Sequence, residues 1–330
     1  MIDFSTVKEW TIPVNGTQRD VKQVVNSLGT ILWQKSQPVQ LEHFYVQNIT
    51  NSTETVTAFA DTSYGSAPIR YLFTSDDATN WTSVGQITTS GITFTLAPGA
   101  KKYVCMGTRA DRPHSGYPYS YGIGRSNILG GFSKVGGDII SLNTANYASE
   151  TLYPSNANYA FTELFRDNTN LIDASALLLR PDTVYFSTFD STFKGCTSLR
   201  LAPTLPATTL GQACYELMFY GCTSLTTAPA LPATTLTINC YYAMFENCSS
   251  LTTAPDLLAP TLANYCYNNM FWRCTSLNYI KCMATDISAT DCIKYWVYDV
   301  ASSGTFVKDT NTSWPSGMSG IPDNWTVINQ

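Results

Sequence analysis

The ten cysteines of this 330-residue chain are the side chains whose spacing bears most directly on chemistry, because thiols can form disulfides or bind metals. Eight of them form two series in which neighbours are 26 residues apart. The first series is Cys196, Cys222, Cys248 and Cys274, and the second is Cys214, Cys240, Cys266 and Cys292. The steps between the series, 18 residues from Cys196 to Cys214 and 8 from Cys214 to Cys222, match no compact zinc site.

Disulfides along either series are also disfavoured. A disulfide needs Cα atoms within about 7 Å, whereas packed helices, the element expected to carry these residues, lie about 8 to 10 Å apart. Cys105 and Cys282 lie off both series and have no evident partner in the sequence. We therefore expect buried free thiols that act as small hydrophobic side chains, with no metal bound.

Groups suited to acid–base or nucleophilic catalysis are few. The chain has two histidines, His43 and His114, and no G-x-S-x-G sequence that would mark a serine nucleophile. Acidic residues such as Glu216 and Glu246 fall on the outer face of predicted short helices. The sequence favours a protein without catalytic residues, and a carbohydrate-active enzyme built on paired carboxylates is kept as an alternative.

The overall charge argues against several classes of partner. Charged residues make up 13% of the chain, about half the usual share, and the net charge is −5. Such a chain has no basic field to hold a phosphate backbone, so no nucleic-acid partner is expected. The sequence contains no run of 18 apolar residues, the length needed to cross a membrane as a helix. Gly122-Ile-Gly124 lacks the third glycine of a dinucleotide loop, so no cofactor is expected.

A 26-residue repeat must position the cysteines. Its unit reads MF-x-x-C-[TS]-S-L-T-T-A-P-x-L-P-A-T-T-L-x-x-x-C-Y-x-x. The repeat phenylalanines are Phe193, Phe219, Phe245 and Phe271. An incomplete first copy contains Phe165, with Asn168 where the cysteine would stand. Self-similarity at this period predicts a solenoid, in which a unit too small to bury its apolar face is stabilised by its neighbours.

Each repeat divides into two halves. Residues 225–232, LTTAPALP, are predicted to be extended, because each proline fixes φ, removes a donor and disfavours helix at the preceding residue. Cys266, Met270 and Cys274 recur at i, i+4 and i+8, which predicts one face of a helix of about two turns. The sequence thus predicts α/β repeats, with strand and helix alternating as in leucine-rich repeats.

The rest of the chain divides around these repeats into a multidomain, mainly β protein. The predicted segments are an N-terminal attachment element at 1–35, an immunoglobulin-like β-sandwich at 36–112, a Gly/Pro/Tyr-rich linker and cap at 113–150, the repeats at 151–292 and a C-terminal cap at 293–330. The sandwich rests on the β-rich runs HFYVQNIT, ETVTAFA, IRYLFTS, ITFTLA and KKYVCMGT, which turn signals separate.

The flanking segments contain weaker signals. Residues 10–12 and 30–33 are predicted to be short strands of the attachment element, and residues 138–142 a strand at the end of the linker. Four aromatic residues in the C-terminal cap can cover the open edge of the last repeat. They are Trp296, Phe306, Trp314 and Trp325.

Repeat positions that vary from copy to copy are not needed for stacking and suggest an outward surface. The position after each repeat phenylalanine holds Lys194, Tyr220, Glu246 and Trp272, and the position two after each repeat leucine holds Leu201, Thr227, Thr253 and Tyr279. Tyr220, Trp272, Arg273 and Tyr279 form the candidate ligand-facing surface, since large rigid rings give contact area at low entropic cost. The alternative is that these rings only shield the repeats or pack against the cap.

The strings MFYGCTSLTTAPALPATTL and CYNNMFWRCTSLNYIKCMATDIS resemble BspA-like leucine-rich repeats, which occur in surface proteins of gut bacteria and in virion proteins of their phages. The closing GTFVKDTNTSWPSGMSGIPDNWTV resembles the segment that ends such arrays, so the resemblance covers about residues 150–330. The opening FSTVKEWTIPVNG is similar to the N-terminal element of phage structural proteins that carry exchangeable outer modules. The family implies no catalytic residues.

These observations and resemblances predict a non-enzymatic structural and adhesion protein, a fibre or decoration subunit of a phage virion. Residues 1–35 would bind other virion proteins, the sandwich would be a spacer, and the repeats would face a host-surface protein, a glycan or mucus. Fibre subunits are usually oligomeric, which implies a homo-oligomer such as a trimer. The opening residues have no apolar core of an export signal, which favours a virion protein over a bacterial cell-surface adhesin, the main alternative. A purely architectural role also stays open.

Overall fold

The computed structural model describes residues 42–60, 69–107, 127–142, 158–180, 182–310 and 312–330, together with four short strands before residue 35. The chain forms two units, Met1–Glu42 and His43–Gln330. The first unit contains two antiparallel pairs of strands, β1 with β2 and β3 with β4. Their bounds are β1 Thr11–Val14, β2 Thr17–Asp20, β3 Gln23–Val25 and β4 Ile31–Gln34. β1 and β4 overlap the two predicted strands, whose residues 10 and 30 lie outside the described part.

The second unit is mainly β. Its strands are β5 Tyr45–Gln47, β6 Glu54–Ala60, β7 Tyr71–Ser75, β8 Thr82–Gln86, β9 Ile92–Leu96, β10 Lys101–Gly107, β11 Asn127–Gly130, β12 Lys134–Asp138, β13 Asp173–Leu178, β14 Thr183–Val184, β15 Thr209–Leu210, β16 Tyr279–Cys282, β17 Thr305–Lys308 and β18 Thr326–Asn329. The described residues contain no α-helix and one 3-10 helix, Ile139–Leu142. None of them forms a helix with the length and apolar character needed to cross a bilayer.

Two sheets form the first half of this unit. One has the strand order β13-β12-β5-β10-β7-β8 and the other the order β11-β6-β9. Residues Glu54, Val56 and Ala58 of β6 are buried at every second position, as expected for a strand with one face on a core. Five strands coincide with the predicted β-rich runs. The sixth, β8, has the polar sequence TSVGQ with little apolar periodicity, and the sequence analysis missed it.

Residues 127–142 differ from the prediction of a linker that ends in a strand at 138–142. β11 pairs with β6, β12 pairs with β5, and the residues from Ile139 onward form the 3-10 helix instead. The glycines of SNILGGFSKVGGD suggested a linker, but Gly136 packs closely against the ring of Tyr45, where a Cβ would lie 2.4 Å from the hydroxyl oxygen. Glycine here permits close strand packing and does not indicate a loop.

The larger sheet continues directly into the repeats. β12 pairs in parallel with β13, which belongs to the first repeat copy, and Asp173 of β13 bridges to Leu201 of the next copy. Lys134 and Asp173 form an ion pair across this junction at 2.8 Å, and the buried Asp138 pairs with Arg180. The sheet and the first repeat therefore share one hydrogen-bonded framework.

One side of every repeat is a segment that we call the turn ribbon. The six ribbons are residues 159–167, 187–195, 213–221, 239–247, 265–273 and 291–299. In the third ribbon, Tyr215, Leu217 and Phe219 donate their N–H groups to carbonyls of the next ribbon. Glu216 and Met218, in between, donate to the carbonyl three residues earlier, as in β-turns. Backbone groups thus pair alternately within a ribbon and between ribbons.

This geometry corrects the predicted helix. The first, fifth and ninth residues of each ribbon have positive φ, for example Ala213 (55°), Leu217 (53°) and Gly221 (72°). Positive φ at the third position of every second turn is the mark of type II turns. The ribbon therefore repeats every four residues, with two side chains directed inward and two outward. Cys266 and Met270 lie on the same face, as the predicted helix required, but that face belongs to a turn ribbon and not to a helix.

Two columns of stacked rings fill the interior. Their centroid separations lie between 5.3 and 6.3 Å, in the range favoured by aromatic pairs. The first column is Phe44, Phe165, Phe193, Phe219, Phe245, Phe271 and Trp296. The second is Phe161, Phe189, Tyr215, Tyr241, Tyr267 and Trp296. Phe44 comes from the segment just before β5 and Trp296 closes both columns, so one apolar core runs from the larger sheet through the repeats.

All ten cysteines are buried thiols. In the first series each thiol donates to the carbonyl of the phenylalanine one ribbon earlier, as Cys248 does to Phe219 at 3.1 Å. Asn168 stands in the corresponding place of the incomplete first copy. Its amide nitrogen donates to the carbonyl of Phe132, between β11 and β12, and its amide oxygen accepts the N–H of Gly131. This asparagine, the exception to the cysteine pattern, thus joins the repeats to the sheets that precede them. Burial raises the pKa of the eight thiols of the two series, for example that of Cys240 in the second series to about 12.

The C-terminal residues cover the last coil. β17 and β18 extend β16 into a three-stranded parallel sheet. Trp314 stacks on Trp296 at 5.5 Å, and Phe306 packs edge-on against both rings. Three aromatic residues of this segment therefore close the core at this end.

Candidate functional site

The turn ribbons present two regular rows of outward side chains. One row consists of the eighth residue of each ribbon, which follows the column phenylalanine in the first five ribbons and Val297 in the sixth. Its members are Arg166, Lys194, Tyr220, Glu246, Trp272 and Tyr298. The second row consists of the fourth residue of each ribbon, and its Thr162 and Asn268 are buried. Its members are Thr162, Asp190, Glu216, Tyr242, Asn268 and Lys294. The predicted residues Tyr220 and Trp272 therefore lie on one row, two coils apart.

Trp272 belongs to a group of three rings that we call the end cluster, with Tyr295 and Tyr298. The Trp272 ring centroid lies 5.0 Å from that of Tyr298 and 5.7 Å from that of Tyr295. Each tyrosine is 39% exposed. The rings hold one another by edge and tilted contacts and still present apolar area to solvent, so the cluster combines rigidity with accessibility.

An open depression of about 410 Å³ adjoins this cluster, and Tyr295 lines it. Ile287 and Pro315 supply apolar walls, and Asp291, Lys294 and Ser319 supply polar groups. The Ser319 hydroxyl accepts the N–H of Tyr295 at 2.9 Å, which fixes the ribbon against the C-terminal segment. The end cluster and this end depression together form a half-apolar, half-polar surface of the kind that binds small polar ligands.

The charges beside the end cluster are balanced. Lys294 donates to Asp291 at 3.2 Å, and this hydrogen bond raises the pKa of Lys294. Arg273 is exposed beside the cluster. Burial raises the pKa of Glu246, and the positive charges of Arg273 and Lys194 act in the opposite direction. The surface therefore offers paired charges as hydrogen-bonding groups without a strong field of either sign.

The structure separates Tyr279 from the other predicted residues. Tyr279 lies in β16 on the extended side of its coil, in line with Thr253 and Thr227. Tyr220 is half-buried and has the Lys194 ammonium 5.3 Å from its ring centroid. Of the four predicted residues, Trp272 and Arg273 belong to the end cluster region, whereas Tyr220 and Tyr279 are elsewhere.

The sequence analysis missed Tyr295 and Tyr298. Tyr298 is 26 residues after Trp272, and Arg273 donates its N–H to the Tyr298 carbonyl, so a sixth ribbon continues past the last repeat cysteine. The signal was weak because Val297 stands where the repeat phenylalanine would be. Extending the period by one copy would have placed Tyr298 on the outward row.

The other chemically interesting residues do not form a comparable site. His43 lies just before β5 beside Trp81, with ring centroids 5.8 Å apart, and burial lowers its pKa. His114 lies outside the described residues. Asp190 and Glu216 are neighbours on the second row, and burial, followed by the Asp190 charge, raises the pKa of Glu216 to about 7. Within the described residues, no group of three or more His, Cys, Asp or Glu side chains could hold a metal ion.

A second, more apolar depression of about 330 Å³ lies on the extended side between the second and third repeat copies. Leu201, Pro203, Leu205 and Pro229 line it. Ser175, Arg200 and Thr226 also line it, but its surface is mainly apolar.

Protein-family models, curated proteins and solved structures give no match to this chain.

Proposed function

We propose that this chain is a non-enzymatic structural and adhesion protein that displays the end cluster and end depression to an external ligand. In finer terms, the repeats are a leucine-rich-repeat-like solenoid and the two sheets an immunoglobulin-like spacer. The setting we propose is a phage virion, as a fibre or decoration subunit. A bacterial cell-surface adhesin is the alternative setting.

One observation supports adhesion above the others. Two neighbouring aromatic rings, the half-buried Trp272 and the 39% exposed Tyr298, occupy an outward row whose other members include Lys194 and Glu246, so the rings are not a requirement of the stack. Trp272 and Tyr298 lie on this row, and their backbone is fixed by the bonds between ribbons. A rigid group of rings loses little conformational entropy when it binds, which is why such rings dominate binding surfaces.

The ligand class that fits best is a neutral saccharide. The C–H faces of a pyranose ring match flat apolar surfaces such as the rings of Trp272 and Tyr298. Sugar hydroxyls need donors and acceptors at the same time, and the Asp291–Lys294 pair with Ser319 supplies both within the adjoining depression. Balanced charge at the site favours an uncharged sugar over an anionic one.

The remaining parts of the protein serve this display. The sandwich shares a sheet with the first repeat through β12 and β13, which supports a spacer that transmits position and does not hinge at this junction. Residues 1–35 are the proposed attachment to other virion proteins, and the chain is proposed to act as a homo-oligomer.

Glycan-array binding of the full chain tests the ligand. We expect selected neutral glycans to bind, and Trp272→Ala and Tyr298→Ala to weaken binding at least about tenfold, as for aromatic hot spots. Tyr220→Ala is the matched control, because it removes a ring from the same row two coils away, and it should leave binding unchanged. Equal loss in all three variants would contradict a site at the end cluster.

The same samples test the enzymatic alternative. A bound polysaccharide that is recovered with its chain length unchanged supports adhesion, whereas shortening of the polysaccharide would indicate a carbohydrate-active enzyme.

Mass spectrometry of purified particles tests the setting. Recovery of the chain in stoichiometric amounts from phage particles supports a virion subunit, and recovery from bacterial envelopes alone would support the cell-surface adhesin.

A further inference from the structure

β18 is the outermost strand of the C-terminal sheet. Thr326 donates its N–H to Gly304, and Gln330 donates to Lys308, so the residues at alternate positions direct their backbone groups towards β17. Val327 and Asn329, in between, direct their N–H and C=O groups away from the sheet. Within the described part of the chain, no strand pairs with this outer edge.

The side chains of β18 leave this edge accessible. All four residues are exposed, and Val327 and Ile328 are 41% and 48% exposed although both are β-branched and apolar. The strand TVIN contains no charge, proline or glycine, the residues with which natural edge strands block pairing. Its register with β17 is regular along its whole length.

Two other sheet edges of this unit are protected. β8, at the end of the six-stranded sheet, has a β-bulge in its pairing with β7 and a positive φ of 138° at Gly85. Such irregularities turn an edge away from partners. β11, at the end of the smaller sheet, is covered by the first ribbon, since Leu129 donates to Leu164. The edges of β8 and β11 are thus protected in ways that the edge of β18 is not.

We propose that β18 pairs with β18 of a second copy of this chain, antiparallel and around a twofold axis at Ile328. In this register Val327 of each copy exchanges both backbone hydrogen bonds with Asn329 of the other. Ile328 then faces Ile328 of the second copy in a non-hydrogen-bonded pair, whose Cα atoms are about 4.5 Å apart. Every outward backbone group of the strand is satisfied, and Ile328 packs against Ile328 of the second copy.

The second copy fits this edge better than another strand would. The register is self-complementary, so one short sequence supplies both partners, and a twofold interface closes on itself. The opposite side of this sheet is occupied, because Tyr279 of β16 bridges to Thr253 of the preceding coil. Pairing through β18 therefore gives a dimer, not a fibre or the trimer implied by the phage resemblance.

Cysteine cross-linking of the full chain tests this register. All ten native cysteines are buried, so an introduced surface thiol reacts without competition from them. The Ile328→Cys variant should form a disulfide-linked dimer on mild oxidation, since a separation of about 4.5 Å lies within the range of a disulfide. The Val327→Cys variant is the matched control. In this variant the Cα atoms of the two introduced cysteines would lie about 8 Å apart, too far for a disulfide.

The oligomeric state supplies a second, independent measurement. Light scattering should give twice the chain mass of 36.3 kDa, and Ile328→Lys should raise the dimer dissociation constant at least about tenfold because like charges then face each other. Leu258→Lys, at a residue 43% exposed on another coil, should leave the dimer intact. A monomer or trimer in the unmodified chain, or equal cross-linking of the Ile328→Cys and Val327→Cys variants, would overturn the proposal.

Discussion

The two sides of a repeat coil differ in how their backbone groups pair with the next coil. On the turn-ribbon side, each N–H of residues 215–220 has a backbone partner in its own turn or in the next ribbon. On the extended side, residues 226–236 of the same coil contact the next coil through the isolated bridge of Thr227 with Thr253. Pro229 and Pro232 have no N–H to contribute there.

This difference shows which side sets the register of the stack. The ribbon side has a continuous backbone ladder, with ring columns and thiols directly beneath it. The extended side is interrupted, since Leu201 bridges backwards to Asp173 and Thr227 forwards to Thr253, but the two are not bridged to each other. Outward residues can change freely on the ribbon because the backbone holds the geometry. The exposed rings of the proposed site lie on this side.

Hydrogen exchange should show the largest contrast between the two sides. Amides of residues 213–222 should exchange only through near-global unfolding, whereas amides within 226–236 should exchange through small local openings. A difference in protection of about a thousandfold or more is expected. Mass-spectrometric exchange on peptides from these two segments measures it, and similar protection in both would mean that the ladder does not set the register.

Truncation of a column ring should have the next largest effect. Phe245 is fully buried between Phe219 and Phe271, with ring separations of 5.6 and 5.9 Å. Phe245→Ala should lower the free energy of unfolding by about 3 to 5 kcal/mol, because the flanking coils are held by the ladder and cannot close the cavity. Urea denaturation measures the loss.

The extended side offers the matched control for that substitution. Leu258 is 43% exposed, so Leu258→Ala should change the free energy of unfolding by less than about 0.5 kcal/mol. A Phe245→Ala loss below about 1 kcal/mol would indicate that the coils collapse around the missing ring and that the ladder is not rigid.

The repeat period made much of the second unit predictable, and its local geometry was the part that failed. A helix was predicted from the spacing of Cys266, Met270 and Cys274. A helix turns every 3.6 residues, so a residue at i+8 drifts away from one at i, whereas a ribbon of turns returns every four. The inward residues follow this period, since the pair Cys266-Tyr267 is followed four residues later by the pair Met270-Phe271. No propensity rule predicts that residues such as Leu217 adopt positive φ, because only the ladder stabilises it.

The candidate site was predictable in part for a related reason. Variation at a fixed repeat position selected Trp272, with Arg273 beside it, and both residues lie on the outward side of the ribbon. The same rule selected Tyr279, which lies on the other side of the coil, because period alone does not say which side a position occupies. Tyr295 and Tyr298 were assigned to the cap, because Val300 stands where the next cysteine of the first series would be.

The second ring column allows a test of how tightly the backbone ladder holds the side chains buried beneath it. The hydroxyls of Tyr215 and Tyr241 are buried without a hydrogen-bond partner, and burial raises the pKa of both. Phe189 occupies the same place one coil earlier. Tyr241→Phe should therefore raise the free energy of unfolding by about 1 kcal/mol, as removal of an unsatisfied buried group does. A lower melting temperature in this variant would show that the hydroxyl is satisfied inside the stack.

The smallest expected effect lies on the outward face of the ribbon. Burial and the neighbouring charge of Asp190 raise the pKa of Glu216 to about 7, above its ordinary value of 4.5. Between these two values the folded protein binds more protons than the unfolded chain, so this group lowers stability as pH rises through that window. Glu216→Gln should remove the penalty, which is about 1 kcal/mol or less once solvent screening is considered.

Thermal unfolding between pH 4 and pH 8 separates this effect from other titrations. The Glu216→Gln variant should match the unmodified chain near pH 4 and exceed its melting temperature above pH 7. Asp190→Asn should give part of the same gain, because it removes the second cause of the raised pKa and leaves the first. A gain of equal size at pH 4 and pH 8 would mean that ionisation of Glu216 is not the cause, and that this side chain relaxes into solvent when charged. The ladder would then fix the backbone of the outward rows without fixing their side chains, and the rigidity inferred for Trp272 and Tyr298 would depend on their mutual ring contacts alone.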